Sequence, residues 1–210
     1  MKTSTRRNFL KKIAITAASA VAVPGLVKAS ENLGTAEAES AEAFPGPGGL
    51  IVPKGNGLQI SGTFLDEISH DIPHQNWGEK EWDADFRYMK AVGIDTVILI
   101  RSGYRKFITY PSPHLLGQGC YMPSVDLVDM YLRLAQKYGM KFYFGLYDSG
   151  RYWDTGDMSS EVEHNKYVID EVWRMYGEKY RSFGGWYLSG EISRSTKGAI
   201  GAFRAMGSQC

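Results

Sequence analysis

The sequence predicts an α/β fold built from parallel βαβ units, and three observations lead there. From Leu58 onward short apolar runs alternate with longer segments of helical periodicity. The order is strand, helix, strand, helix, with no tight hairpin signal between strands, and each apolar run ends just before a polar or charged residue. A chain of 210 residues with a formal net charge of +1 suffices for one core of ordinary size and gives no electrostatic case for nucleic acid as a partner.

The chain opens on a segment that reads as an address, not a fold. Thr5-Arg6-Arg7-Asn8-Phe9-Leu10-Lys11 sets two adjacent arginines before an apolar stretch from 13 to 23, and Val27-Lys28-Ala29 resembles a small-residue cleavage site. Residues 1–29 are therefore expected to be a twin-arginine signal peptide, with the twin-arginine export machinery as a partner. The stretch is shorter than the roughly 20 apolar residues that span a bilayer. No cysteine near the cleavage region offers a lipid anchor, so no stable membrane anchor is expected and the mature chain belongs in the periplasm or outside the cell. Residues 30–57 are rich in Ala, Glu, Gly and Pro and read as a flexible linker, in which Phe44-Pro45-Gly46-Pro47-Gly48-Gly49 is expected to hold no regular element.

The body, 58–210, divides into predicted strands at 59–65, 96–101, 141–147 and 185–188, and predicted helices at 79–91, 124–138 and 160–180. Ser124 is the expected N-cap of the second helix, and Gly93 and Gly139 stand where a helix must stop before the next strand. Leu127, Met130, Tyr131, Leu134 and Ala135 recur at helical spacing, giving that helix one face to bury. Units of about 35 to 45 residues fit an open doubly wound sheet or the first half of a (β/α)₈ TIM barrel. The turn Asp66-Glu67-Ile68-Ser69-His70 carries no Gly-x-Gly-x-x-Gly loop, which removes the dinucleotide cofactor and favours the barrel. Only about four of eight βα units are then present. The expectation is a fragment, a truncated product or a barrel completed by a partner.

In such a barrel the reacting groups gather at the carboxyl ends of the strands. Those positions hold Asp66 and Glu67, Arg101, Asp148 and Glu191 in turn. Carboxylates at successive strand ends suit hydrolysis of a glycosidic bond, which needs one group to protonate the leaving oxygen and another to attack or to activate water. Glu191 is the candidate general acid, and it shares strand parity with Tyr187 and Ser189; the alternative for it is a structural ion pair with Arg101 or Arg194. Asp148 is the other candidate catalytic residue, binding substrate hydroxyls or tuning Glu191, or else an N-cap or Asx turn. Asp66, Arg101 and Tyr187 are candidate substrate-binding residues, Arg101 for an acidic sugar. Five tryptophans with thirteen tyrosines exceed what packing requires, and Trp77 and Trp153, in the long loops after the first and third strands, are candidate sugar platforms.

His70-Asp71-Ile72-Pro73-His74 spaces two imidazoles four apart, but Pro73 opposes the helix that would bring them together, so no metal is expected. Cys120 and Cys210 match neither zinc spacing nor a disulfide framework. No Gly-x-Ser-x-Gly elbow supports a serine esterase.

Five blocks carry a resemblance: Gly62-Thr63-Phe64-Leu65-Asp66, Met89-Lys90-Ala91-Val92-Gly93-Ile94-Asp95-Thr96-Val97-Ile98-Leu99, Tyr110-Pro111-Ser112, Tyr138-Gly139-Met140-Lys141-Phe142-Tyr143-Phe144-Gly145-Leu146-Tyr147 and Gly185-Trp186-Tyr187-Leu188-Ser189-Gly190-Glu191-Ile192. From about Leu58 onward the chain resembles the family of domain of unknown function 4434 (DUF4434). The resemblance implies an exported glycoside-hydrolase-type TIM barrel. Retaining glycosidases of barrel type carry their acid/base glutamate at the end of strand four, where Glu191 stands, but usually after an Asn, whereas Gly190 precedes it here. Their nucleophile comes from strand seven, outside this chain. The expected function is an exported glycoside hydrolase acting on oligo- or polysaccharide; the alternatives are a non-catalytic carbohydrate-binding protein on the same scaffold and an inactive truncated product.

Overall fold

A computed structural model describes residues 44–45, 51–52, 60–68 and 77–210, all within the unit Ser40–Cys210. The twin-arginine segment, most of the linker and the His70–His74 motif lie outside the described residues.

Strand β1 (Phe44–Pro45) pairs antiparallel with β2 (Ile51–Val52), which corrects the expectation that 44–49 holds no regular element. Gly and Pro exclude regular structure within their own run, but Phe44, Ile51 and Val52 flank it with strand-favouring residues.

The main sheet has four strands, β3 (Gly62–Leu65), β4 (Thr96–Leu99), β7 (Lys141–Gly145) and β9 (Phe183–Tyr187), side by side in chain order and all parallel. Between them lie three short strands, β5 (Gly103–Tyr104), β6 (Phe107–Ile108) and β8 (Tyr147–Asp148). The helices are α1 (Glu79–Ala91), α2 (Pro113–Gly117), α3 (Leu127–Lys137), α4 (Arg151–Thr155), α5 (Ser159–Val172) and α6 (Ala199–Gly207).

Strand parity divides the sheet into two unlike faces. Leu65, Val97, Leu99, Phe142 and Phe144 point to one side and are buried against Trp82 and Phe86 of α1, Tyr131 and Leu134 of α3, and Val168 and Val172 of α5. Each such side chain contributes roughly 1.5–3 kcal/mol of burial, so this layer holds the fold together. On the other face Phe64 pairs in register with Ile98 and Ile98 with Tyr143, and Phe64 is 52% exposed.

Helix ends follow local chemistry. Gly93 and Gly139 take left-handed φ values of 95° and 63° just beyond α1 and α3, where the chain turns toward the next strand. The N-cap of α3 is Asp126, whose Oδ1 accepts from the Asp129 N–H at 2.9 Å, and not the expected Ser124. A second bond decides it, because Oδ2 of Asp126 also accepts from the Tyr176 hydroxyl at 2.6 Å. That hydroxyl arrives through a further departure. The predicted helix 160–180 stops at Val172 and gives way to a π turn, Trp173–Gly177, within which Tyr176 is buried.

The largest departure is a hairpin where none was expected. Strands β5 and β6 pair antiparallel across an Arg105-Lys106 turn, and β5 also pairs in parallel with β8. The turn escapes sequence reading because it lacks Asn-Gly or Asp-Gly and instead holds Arg105 at φ 55°.

Candidate functional site

Arg101 follows β4, and its guanidinium reaches two carboxylates, one at the end of β8 and one in the loop after β9. Nη1 meets Asp148 Oδ2 at 3.1 Å and Nη2 meets Glu191 Oε1 at 3.3 Å. The two acids differ in surroundings: the Asp148 side chain is 2% exposed and that of Glu191 is 58% exposed.

Asp148 is placed by β8, which Asn165 of α5 clamps by accepting the Tyr147 N–H at 2.9 Å and donating to the Tyr147 carbonyl at 2.8 Å. Oδ1 of Asp148 accepts the Gly150 N–H at 2.7 Å. Oδ2 takes the Trp153 indole N–H at 3.3 Å and the Tyr152 hydroxyl at 3.4 Å besides Arg101. Both oxygens are therefore engaged, Oδ2 by three donors and Oδ1 by one. Tyr152 in turn accepts the backbone N–H of Glu191 at 3.2 Å, and burial, with Asp148's charge adding to it, raises its proton affinity so that it remains a donor.

Behind Asp148 lies a third acid. Glu161, 3% exposed, accepts the Ser149 hydroxyl at 2.7 and 2.8 Å on its two oxygens. Burial pushes its proton affinity up to about 7, the negative charge of Asp148 adds to this, and the Ser149 bond opposes it.

Two clefts flank α4. One, of about 220 Å³, is lined by Trp153, Glu191, Ser193, Ser195 and Thr196. The Trp153 ring is 47% exposed while its N–H is anchored, so the indole presents a face held at a fixed angle beside Glu191. The other cleft, of about 340 Å³, lies between α4 and the Arg105-Lys106 turn.

The family model for "Domain of unknown function (DUF4434)" matches residues 60–209. The chain belongs to the DUF4434 family. A solved structure described as a "putative alpha-L-fucosidase" from Bacteroides thetaiotaomicron VPI-5482 is 84% identical, with a TM-score of 0.71, over 77% of this chain and 50% of that one. The chain thus spans about half the length of that protein. No curated protein matches it.

In this DUF4434 chain the strand-end residues Arg101, Asp148 and Glu191 meet, and Trp153 joins them. The remaining candidates sit apart in their contacts. Asp66 accepts the Ile68 N–H at 3.1 Å in a turn of its own, Trp77 packs edge-on against Trp82 at 5.1 Å, and Tyr187 packs edge-on against Phe64 at 5.2 Å across the sheet. Strand β9 ends at Tyr187, so Glu191 reaches Arg101 from the loop beyond the strand and not by continued strand parity. The pairing with Arg101 is the structural alternative raised for it. Sequence reading missed Tyr152, Glu161 and Asn165. The last two are polar residues four apart on the stripe of α5 that also carries Val168 and Val172, and that spacing was the available signal. Among the described residues no group of three or more His, Cys, Asp or Glu can hold a metal, Cys120 and Cys210 are free thiols, and no helix is long and apolar enough to cross a membrane.

Proposed function

We propose that this DUF4434 protein is an exported, glycoside-hydrolase-type protein acting on oligo- or polysaccharide, with its four strands forming half of a (β/α)₈ barrel and Glu191 as proton donor. The observation that carries the reading is the meeting of Arg101 from just beyond β4, Asp148 from β8 and Glu191 from the loop after β9, beside an anchored tryptophan. The barrel is supported by strands in chain order with helices packed on one face and apolar Phe64 and Ile98 on the other. The name given to the 84% identical structure supports a glycosidic substrate, fucosides first among those to try. Arg6 and Arg7 support twin-arginine export to the periplasm or beyond.

In this scheme Glu191 gives its proton to the glycosidic oxygen as the C–O bond breaks, while water adds to the anomeric carbon and leaves its proton on a second carboxylate outside the cluster, and the Trp153 face stacks on the sugar ring. Arg101 and Tyr152 position Glu191 through its side chain and its backbone N–H. Asp148 orients Arg101 and Trp153.

A second reading, carbohydrate binding without catalysis, is favoured by the burial of Asp148 and the engagement of both its oxygens. Hydrolysis needs a second available carboxylate, and every oxygen of Asp148 is engaged. The deciding experiment pairs calorimetry with product analysis, using the full chain and a panel of fucosylated and other oligosaccharides. Turnover that falls roughly 10²–10⁴-fold in Glu191→Gln with binding retained establishes the enzyme. Binding without turnover establishes the second reading, and no binding at all ends both.

A further inference from the structure

The cleft of about 340 Å³ on the far side of α4 has an unusual charge. Arg105, Lys106 and Arg151 line it against the single carboxylate Asp154. Elsewhere Arg133, Lys137 and Lys179 each hold a carboxylate at 2.6 Å, but among the described residues these three cations have none within ion-pair distance. His164, also on the wall, shares a 2.9 Å nitrogen–nitrogen hydrogen bond with His114. Burial and the neighbouring His114 hold its proton affinity below the ordinary value, so it stays neutral near pH 7 and adds no positive charge to the wall. The acids beneath the floor are spoken for: Asp148 is paired with Arg101 and Glu161 with Ser149.

The positioning of Arg105 is built into the fold. It is the only non-glycine with a positive φ among the described residues, a conformation that costs energy and persists only when its surroundings over-determine it. Its N–H donates to the Asp148 carbonyl at 2.9 Å, and its own carbonyl accepts from the Tyr147 hydroxyl at 2.5 Å. Its guanidinium lies over the Tyr104 ring at 5.3 Å, while Arg101 lies over the same ring at 5.4 Å. A methyl group at Gly150 would come within 3.0 Å of Arg105 Cγ and Nε, so the side chain runs close along that backbone. Both clefts have Asp154 as a wall residue, so the two adjoin at α4.

Resting on the carbohydrate reading, the geometry points to an anionic subsite: Arg105, Lys106 and Arg151 receive a carboxylate or sulfate carried by a sugar unit next to the one stacked on Trp153. The substrate class is then an acidic glycan. Guanidinium groups suit both anions, because their paired N–H donors match two oxygens of either.

The test is calorimetry of the full chain with three oligosaccharides of equal length, one uronate-bearing, one sulfated and one neutral, and with inorganic sulfate alone. Arg105→Gly combined with Arg151→Ala is the variant, since glycine accepts the left-handed turn and Arg151 is exposed. The expected result is that at least one acidic glycan binds roughly tenfold or more tightly than the neutral one at about 50 mM salt, with the advantage lost at about 0.5 M. The double variant loses that preference but keeps its affinity for the neutral glycan; which acidic glycan responds identifies the anion. Equal binding of neutral and acidic glycans overturns the subsite and leaves the carbohydrate reading intact. Inorganic sulfate binding as tightly as the sulfated glycan overturns the glycan assignment of the cleft. Absence of binding by every glycan overturns the carbohydrate reading and the subsite with it.

Discussion

Replacing Arg101 with methionine leaves Asp148 charged and 2% exposed without its cation, while Glu191, more than half exposed, simply returns to water. Breaking a buried ion pair from one side typically costs about 3–5 kcal/mol, since the remaining charge stays desolvated. Asp148 keeps the Gly150 N–H, the Trp153 indole N–H and the Tyr152 hydroxyl, which lowers the expectation to about 2–3 kcal/mol. For a chain of this size that is a fall in Tm of about 5–10 °C. Glu191→Gln removes only the exposed half of the bridge and is expected to cost less than about 1 kcal/mol. Adding Asp148→Asn to the Arg101→Met background removes the stranded charge and should recover about 1–2 kcal/mol. Urea unfolding of the four proteins at one pH reads all of this. An Arg101→Met variant within about 0.5 kcal/mol of the parent, or a Glu191→Gln variant that costs more than it, refutes the idea that Arg101 is held chiefly for Asp148.

Glu161 makes stability fall as pH rises. Its native proton affinity is about 7 against an ordinary 4.5, so between those values the native state holds a proton that the unfolded chain has released. This contribution is fully present below about pH 4.5, is lost on the way to about pH 7, and amounts to at most about 3 kcal/mol; in Glu161→Gln the slope of stability over that window should flatten. Gly145→Ala places a methyl 2.1 Å from the Leu99 carbonyl oxygen on the neighbouring strand, and the cost, read by urea unfolding, should be about 3 kcal/mol or more. Arg6→Lys with Arg7→Lys should leave the precursor in the cytoplasm on fractionation, and unimpaired export would mean the twin arginines are not the signal.

The parallel units were legible because their signals are local. Apolar runs of strand length and the stripe of α3 require only a few neighbouring residues, and they gave β3, β4, β7, β9, α1, α3 and the start of α5 to within a few positions. The hairpin β5–β6 was illegible because its turn depends on long-range support. Arg105 tolerates φ 55° only with Asp148 and Tyr147 bonded to its backbone, and those lie more than forty positions along the chain. The cap of α3 failed for a similar reason: Ser124 and Asp126 are both suitable locally, and the hydroxyl of Tyr176, fifty positions away, separates them. At the site, the strand-end rule named Arg101, Asp148 and Glu191 as polar residues at comparable heights on neighbouring strands. It could not name Glu161 and Asn165, which reach the site from the helix side, one through Ser149 and the other through the backbone of β8.

The arrangement makes Asp148 the pivot of both clefts. One side-chain oxygen holds the Gly150 N–H that starts the turn into α4, and the other holds the indole of Trp153 and the guanidinium that reaches Glu191. Its backbone carbonyl meanwhile fixes the N–H of Arg105 on the cationic side. A buried acid with both oxygens engaged is a poor nucleophile and a good positioning device, because moving it would break several bonds at once. Catalysis by this chain would therefore have to come from Glu191 acting with a group outside the cluster, while recognition needs nothing beyond what Asp148 already holds in place. Under the proposed hydrolysis this division assigns binding to the buried aspartate and proton donation to the open glutamate, so Glu191→Gln is the variant expected to separate turnover from binding.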